Sequence, residues 1–336
     1  MDIGLIGFGG VGQALAGLLI EKKKYLREKY NLEINLKYII NSSGGIYNPE
    51  KIDLIHLINH IQKGKQISEY KDWGNYNIDS IIANGDVDTI VELTHTNISS
   101  GQPGLMHMEK ALKNRMNVVT GNKGPIFLKY KYLNELAGEN GVQLMVGCTT
   151  GGALPSINGG VIEVAGSEIT SMEGILNGTT NYILSEMMEK DISYDEALKQ
   201  AQKEGIAEKN PTLDIEGYDT AVKIIILSNV ILNTDLSLND IKVEGIGHIK
   251  KEELIVLKEQ EKKLKLMGKV AMKNGKATAE VKLGEIDKSH PLYLVDGKNK
   301  GITYKTDSLG EISIIGGASG RINAAAAILR DLINLK

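Results

Sequence analysis

A single cysteine, Cys148, in a chain of 336 residues leaves no partner for an internal disulfide and no cysteine cluster for structural zinc. Tryptophan occurs once and phenylalanine twice, so the interior has to be built from Ile, Leu and Val. No long hydrophobic run is present. The longest apolar stretches, such as 224–227 and 324–329, fall well short of the roughly 18 residues a membrane span needs. An excess of one charge sign is also lacking. Lys and Arg total 39 against 42 for Asp and Glu, a formal net charge of -3, and the two signs are interspersed, so no basic stripe is available to follow a nucleic-acid backbone. The opening MDIGLIGFGG has an apolar stretch, but Asp2 precedes it and glycines interrupt it, unlike a secretory signal, and a cytoplasmic protein is expected.

Glycine, by contrast, is plentiful at 38 residues, which suits tight strand-to-helix turns of the kind where phosphates bind. With 42% hydrophobic residues the chain can bury a substantial core, and its length usually divides into two domains. The apolar run 3–6, then glycines, then an apolar-periodic segment at 11–19 read as strand, tight turn and helix. Further strands are expected at 36–40, 89–93, 117–120 and 142–146, with helical patterns such as 106–113 between the later ones. This alternation predicts an α/β fold, a Rossmann-type doubly wound parallel sheet occupying residues 1–150. Residues 47–81 are less regular, and only short helices, or a mobile flap, are expected there.

After Gly152 the rhythm changes. LPSINGGVIEVAG reads as helical, SMEGILN as a strand, and helices are expected at 182–189, 194–204 and 219–232. From 268 to 304, alternating runs with turn signals at Asn274-Gly275 and Asp296-Gly297 predict a partly antiparallel sheet. Residues 151–304 therefore read as a second, α+β substrate and dimerisation domain. The tail 305–336, with a Gly-rich turn and an apolar helix, reads as a return to the first domain.

GFGGVG, residues 7–12, fits G-x-G-x-x-G with a strand before it and a helix after it. The first glycine permits the turn, the second lets the backbone approach a pyrophosphate and the third allows close packing, with the phosphate at the positive helix end. A dinucleotide is expected here, on Gly7, Phe8, Gly9, Gly10, Val11 and Gly12. The acid that would bond the ribose hydroxyls of NAD at the end of the second strand is replaced by Asn41. Without that carboxylate the repulsion against a 2′-phosphate is gone, and Lys63 or Lys65 is available to it, which tilts the expectation from NAD toward NADP.

EKNPTLDIEGYDTAVK places Glu208, Asp214, Glu216 and Asp219 just before a helix. Acids there favour the helix dipole, and that reading suffices for Glu216. The others also suit an anionic pocket for an ammonium group. Asp219 and Lys223 share a helix face four residues apart, in a helix whose continuation, IIILSNVIL, is apolar on nearly every side. Charges buried there cost several kcal/mol unless paired or used, so the pair is either a structural ion pair or part of a site. Lys123, in NVVTGNKGP, follows a strand at the carboxyl end of the sheet, where doubly wound folds bind ligands.

GFGGVG, NSSGGIYNPEKIDL, SGQPGLMHMEKALKNRMNVVTGNKGP, the GGALP turn, ILNGTTNYIL and GIAEKNPTLDIEGYDTAVK together resemble homoserine dehydrogenases over nearly the whole chain. The resemblance implies an NAD(P)-dependent interconversion of L-homoserine and L-aspartate 4-semialdehyde, a step toward threonine and methionine. It also implies residue roles. Lys223 is the acid and base at the reacting oxygen, Asp219 its partner near the substrate hydroxyl, and Glu208 and Asp214 hold the amino end. Lys123 lies between nicotinamide and substrate. Gly178 and Thr179 form the turn that closes over both, and Thr94 and Gly320 complete the cofactor contacts. A homodimer is implied, with edge strands in 268–304 pairing across a two-fold axis. Two departures stand out. Arg321 replaces the small residue usual after that last glycine. Gly147 stands where the family often carries a cation-binding glutamate, so weaker metal binding or none is expected. Residues 305–336 are too few for the ligand-sensing domain some members carry, and feedback by threonine through one is not expected.

Two other readings compete. A semialdehyde dehydrogenase of the thiol-dependent type needs an activated cysteine, yet Cys148 has no histidine near it in sequence, with His95 and His107 unmarked as bases. A nucleotide sensor without catalysis would lack site residues that are all present here.

Overall fold

The computed structural model describes residues 1–317 and 319–335; Ala318, inside the GGASG segment, lies outside them. The chain forms two compact units, Met1–Thr149 with Gly320–Lys336, and Thr150–Ser319.

The first unit is built on seven strands: β1 (Asp2–Ile6), β2 (Asn35–Asn41), β3 (Gly44–Tyr47), β4 (Trp73–Gly74), β5 (Thr89–Glu92), β6 (Asn117–Thr120) and β7 (Leu144–Met145). They run in the order β4-β3-β2-β1-β5-β6-β7. From β2 to β7 every pairing is parallel. Parallel strands are covered on both faces, which is why these read as apolar runs: Ile3, Leu5, Ile39, Ile90, Val91, Val118 and Val119 are fully buried. The order reverses between β1 and β5, and the carboxyl ends of strands at such a switch point are where these sheets bind ligands.

The expectation of only short helices or a flap in 47–81 is corrected by β4, which extends the sheet by pairing antiparallel with β3, itself antiparallel to β2. Gly44 has φ +140°, and a Cβ there would stand 2.7 Å from the Gly74 carbonyl oxygen, so only glycine permits β3 and β4 to lie this close. A nine-residue helix, Leu54–Gln62, also lies in this segment, capped by Asp53, whose side chain accepts the His56 N–H at 3.0 Å. The C-terminal helix Arg321–Ile333 belongs to this unit, with Ala325, Ile328, Leu329 and Leu332 in one core with Leu15, Ala16 and Leu19.

The second unit holds β8 (Ile169–Ile175), β9 (Ile241–Val243), β10 (Lys263–Lys273), β11 (Lys276–Ile286), β12 (Lys300–Thr306) and β13 (Glu311–Gly316), ordered β13-β12-β8-β10-β11-β9. All pairings are antiparallel except β11 with β9. Asn274 and Gly275, both at positive φ, form the two-residue turn joining β10 to β11. Asp296-Gly297 is no hairpin turn. It sits in the loop before β12, where Asp296 takes Lys263 and Lys265. The sheet's outer strands are β13 and β9, while β10 and β12 are interior, so 268–304 contributes a free edge only where β11 runs past the three-residue β9. Because β13 pairs with β12, the return to the first unit begins at Gly320 and not at 305. The helices Gly178–Lys190 and Tyr218–Ile231 pack on β10, and a Cβ at Gly268 would stand 3.1 Å from Thr220 and Ile224.

Candidate functional site

In the first unit the candidate site gathers at the switch point. β1 ends at Ile6, and Gly7 turns with φ +99°, its N–H donating to the Ile40 carbonyl at 2.8 Å. A Cβ on Gly7 would stand 2.6 Å from the Leu93 carbonyl, so the glycine is required for the turn to lie against the end of β5. The helix Gly10–Glu21 starts at once, with Gly9 in open space and Gly12 packed against the Gly7 carbonyl oxygen at a Cβ distance of 2.6 Å. Phe8 is buried, and its N–H donates to Asn41 Oδ1 at 3.0 Å. That bond fixes the Asn41 amide, leaving its NH2 group, a pure donor, for a ligand. Val11 is half-buried on the first turn. These residues fit a dinucleotide: an open backbone at Gly9, a helix N-terminus behind it, and close packing at Gly7 and Gly12.

Arg321 follows Gly320 and opens the C-terminal helix. Its side chain lies over Gly10, so that a Cβ there would stand 2.5 Å from Arg321 Nε. The departure noted in the sequence thus places a guanidinium beside the glycine turn. Thr94 follows β5, and its N–H donates to Glu92 Oε1 at 2.8 Å. Lys123 is the first residue of the helix Lys123–Glu139, rather than a turn residue, and Asn122 caps that helix by accepting the Gly124 N–H at 3.2 Å. Lys63 and Lys65 are exposed just beyond the helix Leu54–Gln62.

In the second unit, Gly217 precedes the helix Tyr218–Ile231, and Asp219 lies in its first turn. Lys223 Nζ meets Asp219 Oδ2 at 2.6 Å, with the two side chains only 15% and 9% exposed. The ammonium also donates to the Leu176 carbonyl at 2.8 Å, so two of its three hydrogens are committed. Asn177 was not anticipated. Its Oδ1 accepts the Thr180 N–H at 2.9 Å and caps the helix Gly178–Lys190, while its Nδ2 donates to Asp214 at 2.6 Å and to Asp219 at 2.8 Å. One amide therefore holds both aspartates; an Asn just before Gly-Thr-Thr is the cap signal that marks it.

The other positions divide. Gly178 opens its helix so tightly that a Cβ would stand 3.0 Å from the Lys298 carbonyl oxygen. Thr179 is buried, with its hydroxyl committed to the Ile206 carbonyl at 3.2 Å. Glu208 is exposed.

Lys300, buried, donates from Nζ to the Gly151 carbonyl at 2.7 Å, and Arg330 donates to the Gly147 carbonyl at 3.4 Å. Among the described residues no group of three or more His, Cys, Asp or Glu side chains is placed to hold a metal ion. Cys148 is buried, its thiol directed at the Ala324 carbonyl at 3.6 Å. No helix among them is long and apolar enough to cross a membrane.

The homoserine dehydrogenase family model matches residues 155–333. A homoserine dehydrogenase of Methanocaldococcus jannaschii is 40% identical over 337 residues, covering 100% of this chain and 98% of its own. An NAD(+)-dependent homoserine dehydrogenase of Pseudomonas canavaninivorans is 31% identical, covering 99% and 95%. Among solved structures, a hyperthermophilic archaeal homoserine dehydrogenase mutant in complex with NADPH superposes with a TM-score of 0.81 at 26% identity, over 99% of this chain and 96% of that one. The chain belongs to the homoserine dehydrogenase family of NAD(P)-dependent oxidoreductases.

Proposed function

We propose that the chain interconverts L-homoserine and L-aspartate 4-semialdehyde, a step toward threonine and methionine, with residues 1–149 holding the dinucleotide and 150–319 the substrate. The observation that carries the reading is the buried Asp219–Lys223 pair, fixed from outside its own helix by Asn177 and the Leu176 carbonyl. A buried ion pair is weak as a stabilising device, and among the described residues this one leaves its third ammonium hydrogen uncommitted. That hydrogen is suited to a substrate oxygen.

The nicotinamide, when bound, accepts or supplies the hydride. Lys223 handles the accompanying proton: it takes the hydroxyl proton during oxidation, and in its protonated form polarises the carbonyl during reduction. Asp219 and Leu176 aim the ammonium. Asp214, held beside Asp219 by Asn177, presents negative charge for the substrate's amino group. Glu208, exposed, is the second acid for that group. Thr179, through its lone pairs, and Gly178, through the start of its helix, serve substrate and cofactor. Lys123, Thr94 and the glycine turn 7–12 make up the cofactor side with Gly320.

The preference leans to NADP. Asn41 presents an NH2 donor where a carboxylate would repel a 2′-phosphate, its carbonyl oxygen being held by the Phe8 N–H. Dimerisation is assigned to the sheet of the second unit, to be read by light scattering. The test of the central reading is homoserine-dependent reduction of NAD and NADP measured side by side. Absence of turnover with both, in protein shown to be folded, sinks it.

A further inference from the structure

Glu92, the last residue of β5, is completely buried, yet no role proposed above uses it. Its side chain collects donors from three segments. The Thr94 N–H donates to Oε1 at 2.8 Å, the Thr94 hydroxyl donates to the same oxygen, and Asn122 Nδ2 donates to it at 3.3 Å. His107 Nδ1, from the helix Gly104–Lys113, meets Oε2 at 2.8 Å. The backbone of Glu92 is tied to the same neighbours: Thr120 Oγ1 donates to its carbonyl at 3.0 Å and accepts the Asn122 N–H at 2.9 Å. The cluster is tight enough that a Cβ on Gly104 would stand 2.6 Å from Asn122 Nδ2.

A carboxylate without water is costly unless its oxygens are satisfied, and an apolar residue in its place would strand the Thr94 amide, the Asn122 amide and the imidazole. The groups it satisfies are the ones that shape the cofactor side. Asn122 caps the helix that Lys123 opens, and Thr94 adjoins Leu93, against which Gly7 turns. Glu92 thus clamps the ends of β5 and β6 and the helix between them into one arrangement.

We infer that Glu92 is a positioning residue for the nicotinamide dinucleotide: it holds Thr94 and the Asn122–Lys123 helix start in their binding geometry without touching the ligand. His107 completes the clamp by occupying the second carboxylate oxygen. The inference rests on the proposed placement of the cofactor on this unit.

The test measures Kd for NADPH and NADH by nicotinamide fluorescence on the full chain without substrate, then kcat and both KM values with homoserine. Glu92→Gln keeps the acceptor toward Thr94 and offers an amide to the other His107 tautomer, so Kd should stay within about threefold. Glu92→Ala should raise cofactor Kd about tenfold or more, the effect of one lost charge-assisted hydrogen bond, with homoserine KM within about twofold. A folded Glu92→Ala protein with unchanged cofactor Kd, or with equal losses for cofactor and homoserine, overturns the inference. Should that variant not fold, Thr120→Val cuts only the link between Asn122 and the Glu92 backbone. A threefold or larger rise in cofactor Kd supports the clamp, and no change overturns it. Because Kd is read without substrate, failure of the homoserine assay leaves this test standing, whereas a wild type that binds neither dinucleotide overturns the cofactor placement itself.

Discussion

Replacing Asp331 by Asn isolates the cost of one buried carboxylate. Asp331 lies in the helix Arg321–Ile333 with no exposed surface, and neither of its oxygens has a hydrogen-bond partner of good geometry among the described residues. Burial pushes its pKa up from the usual 3.8 to about 6, and the Arg330 guanidinium and the Gly147 and Cys148 amides offset this only in part. The folded chain therefore keeps this proton to a higher pH than the unfolded chain does. Between about pH 4 and pH 6 the native state binds more protons, so the unfolding free energy falls as pH rises through that window and levels off above it. The gap between 3.8 and about 6 corresponds to about 3 kcal/mol.

Asp331→Asn keeps the shape and removes the titration. Relative to the wild type its gain should be smallest at pH 4, where the folded-state acid is protonated and the unfolded-state acid about half so, and should reach up to about 3 kcal/mol by pH 7. The single tryptophan, Trp73, lies in β4 of the same unit, so its fluorescence during urea unfolding follows this unit by itself. That matters because a chain of two units need not unfold in one step. The curves would be taken from pH 4 to pH 7.5. A stability difference that does not vary with pH, or a wild type that gains stability from pH 4 to pH 6 relative to the variant, refutes the reasoning. Arg330→Gln, which removes the nearest positive charge, should enlarge the decline and carry it to higher pH.

Lys223→Ala should lose at least about a hundredfold in kcat while cofactor Kd stays within about twofold, the size expected for a general acid-base group; an equal loss of cofactor affinity contradicts its placement with the substrate. Asn41→Asp retains an acceptor for the Phe8 N–H but sets a charge against a 2′-phosphate, so kcat/KM should fall about tenfold with NADP and hold or rise with NAD. Unchanged cofactor preference would remove Asn41 from the specificity argument. Arg321→Ala strips the guanidinium lying over Gly10 and should raise cofactor Kd several-fold, with a weaker dependence on salt than the wild type shows. A variant with wild-type Kd across salt concentrations would mean that this arginine only packs on the helix.

What was legible in the sequence is what short-range geometry writes there. Gly7 to Gly12 could be placed because a strand, a turn and a helix adjoin in the chain, and Asp219 could be set beside Lys223 because a helix turn spans four residues. The partners that make these residues a site are distant. Asn177 reaches Asp219 across 42 residues, and Lys223 reaches the Leu176 carbonyl across 47, through a backbone group that carries no sequence mark. Short elements were hidden for a different reason: β3 and β4, of four and two residues, have too few side chains for a period to show. The tail was misjudged at 305 because alternation in 311–316 reveals a strand but not its neighbour. The same limit explains His107, which carried no local sign of function. Its partner became identifiable only once strand order brought the end of β5 next to the helix Gly104–Lys113. Residues that act through another residue are thus specified by topology, and in this chain they lie where parallel strands end together.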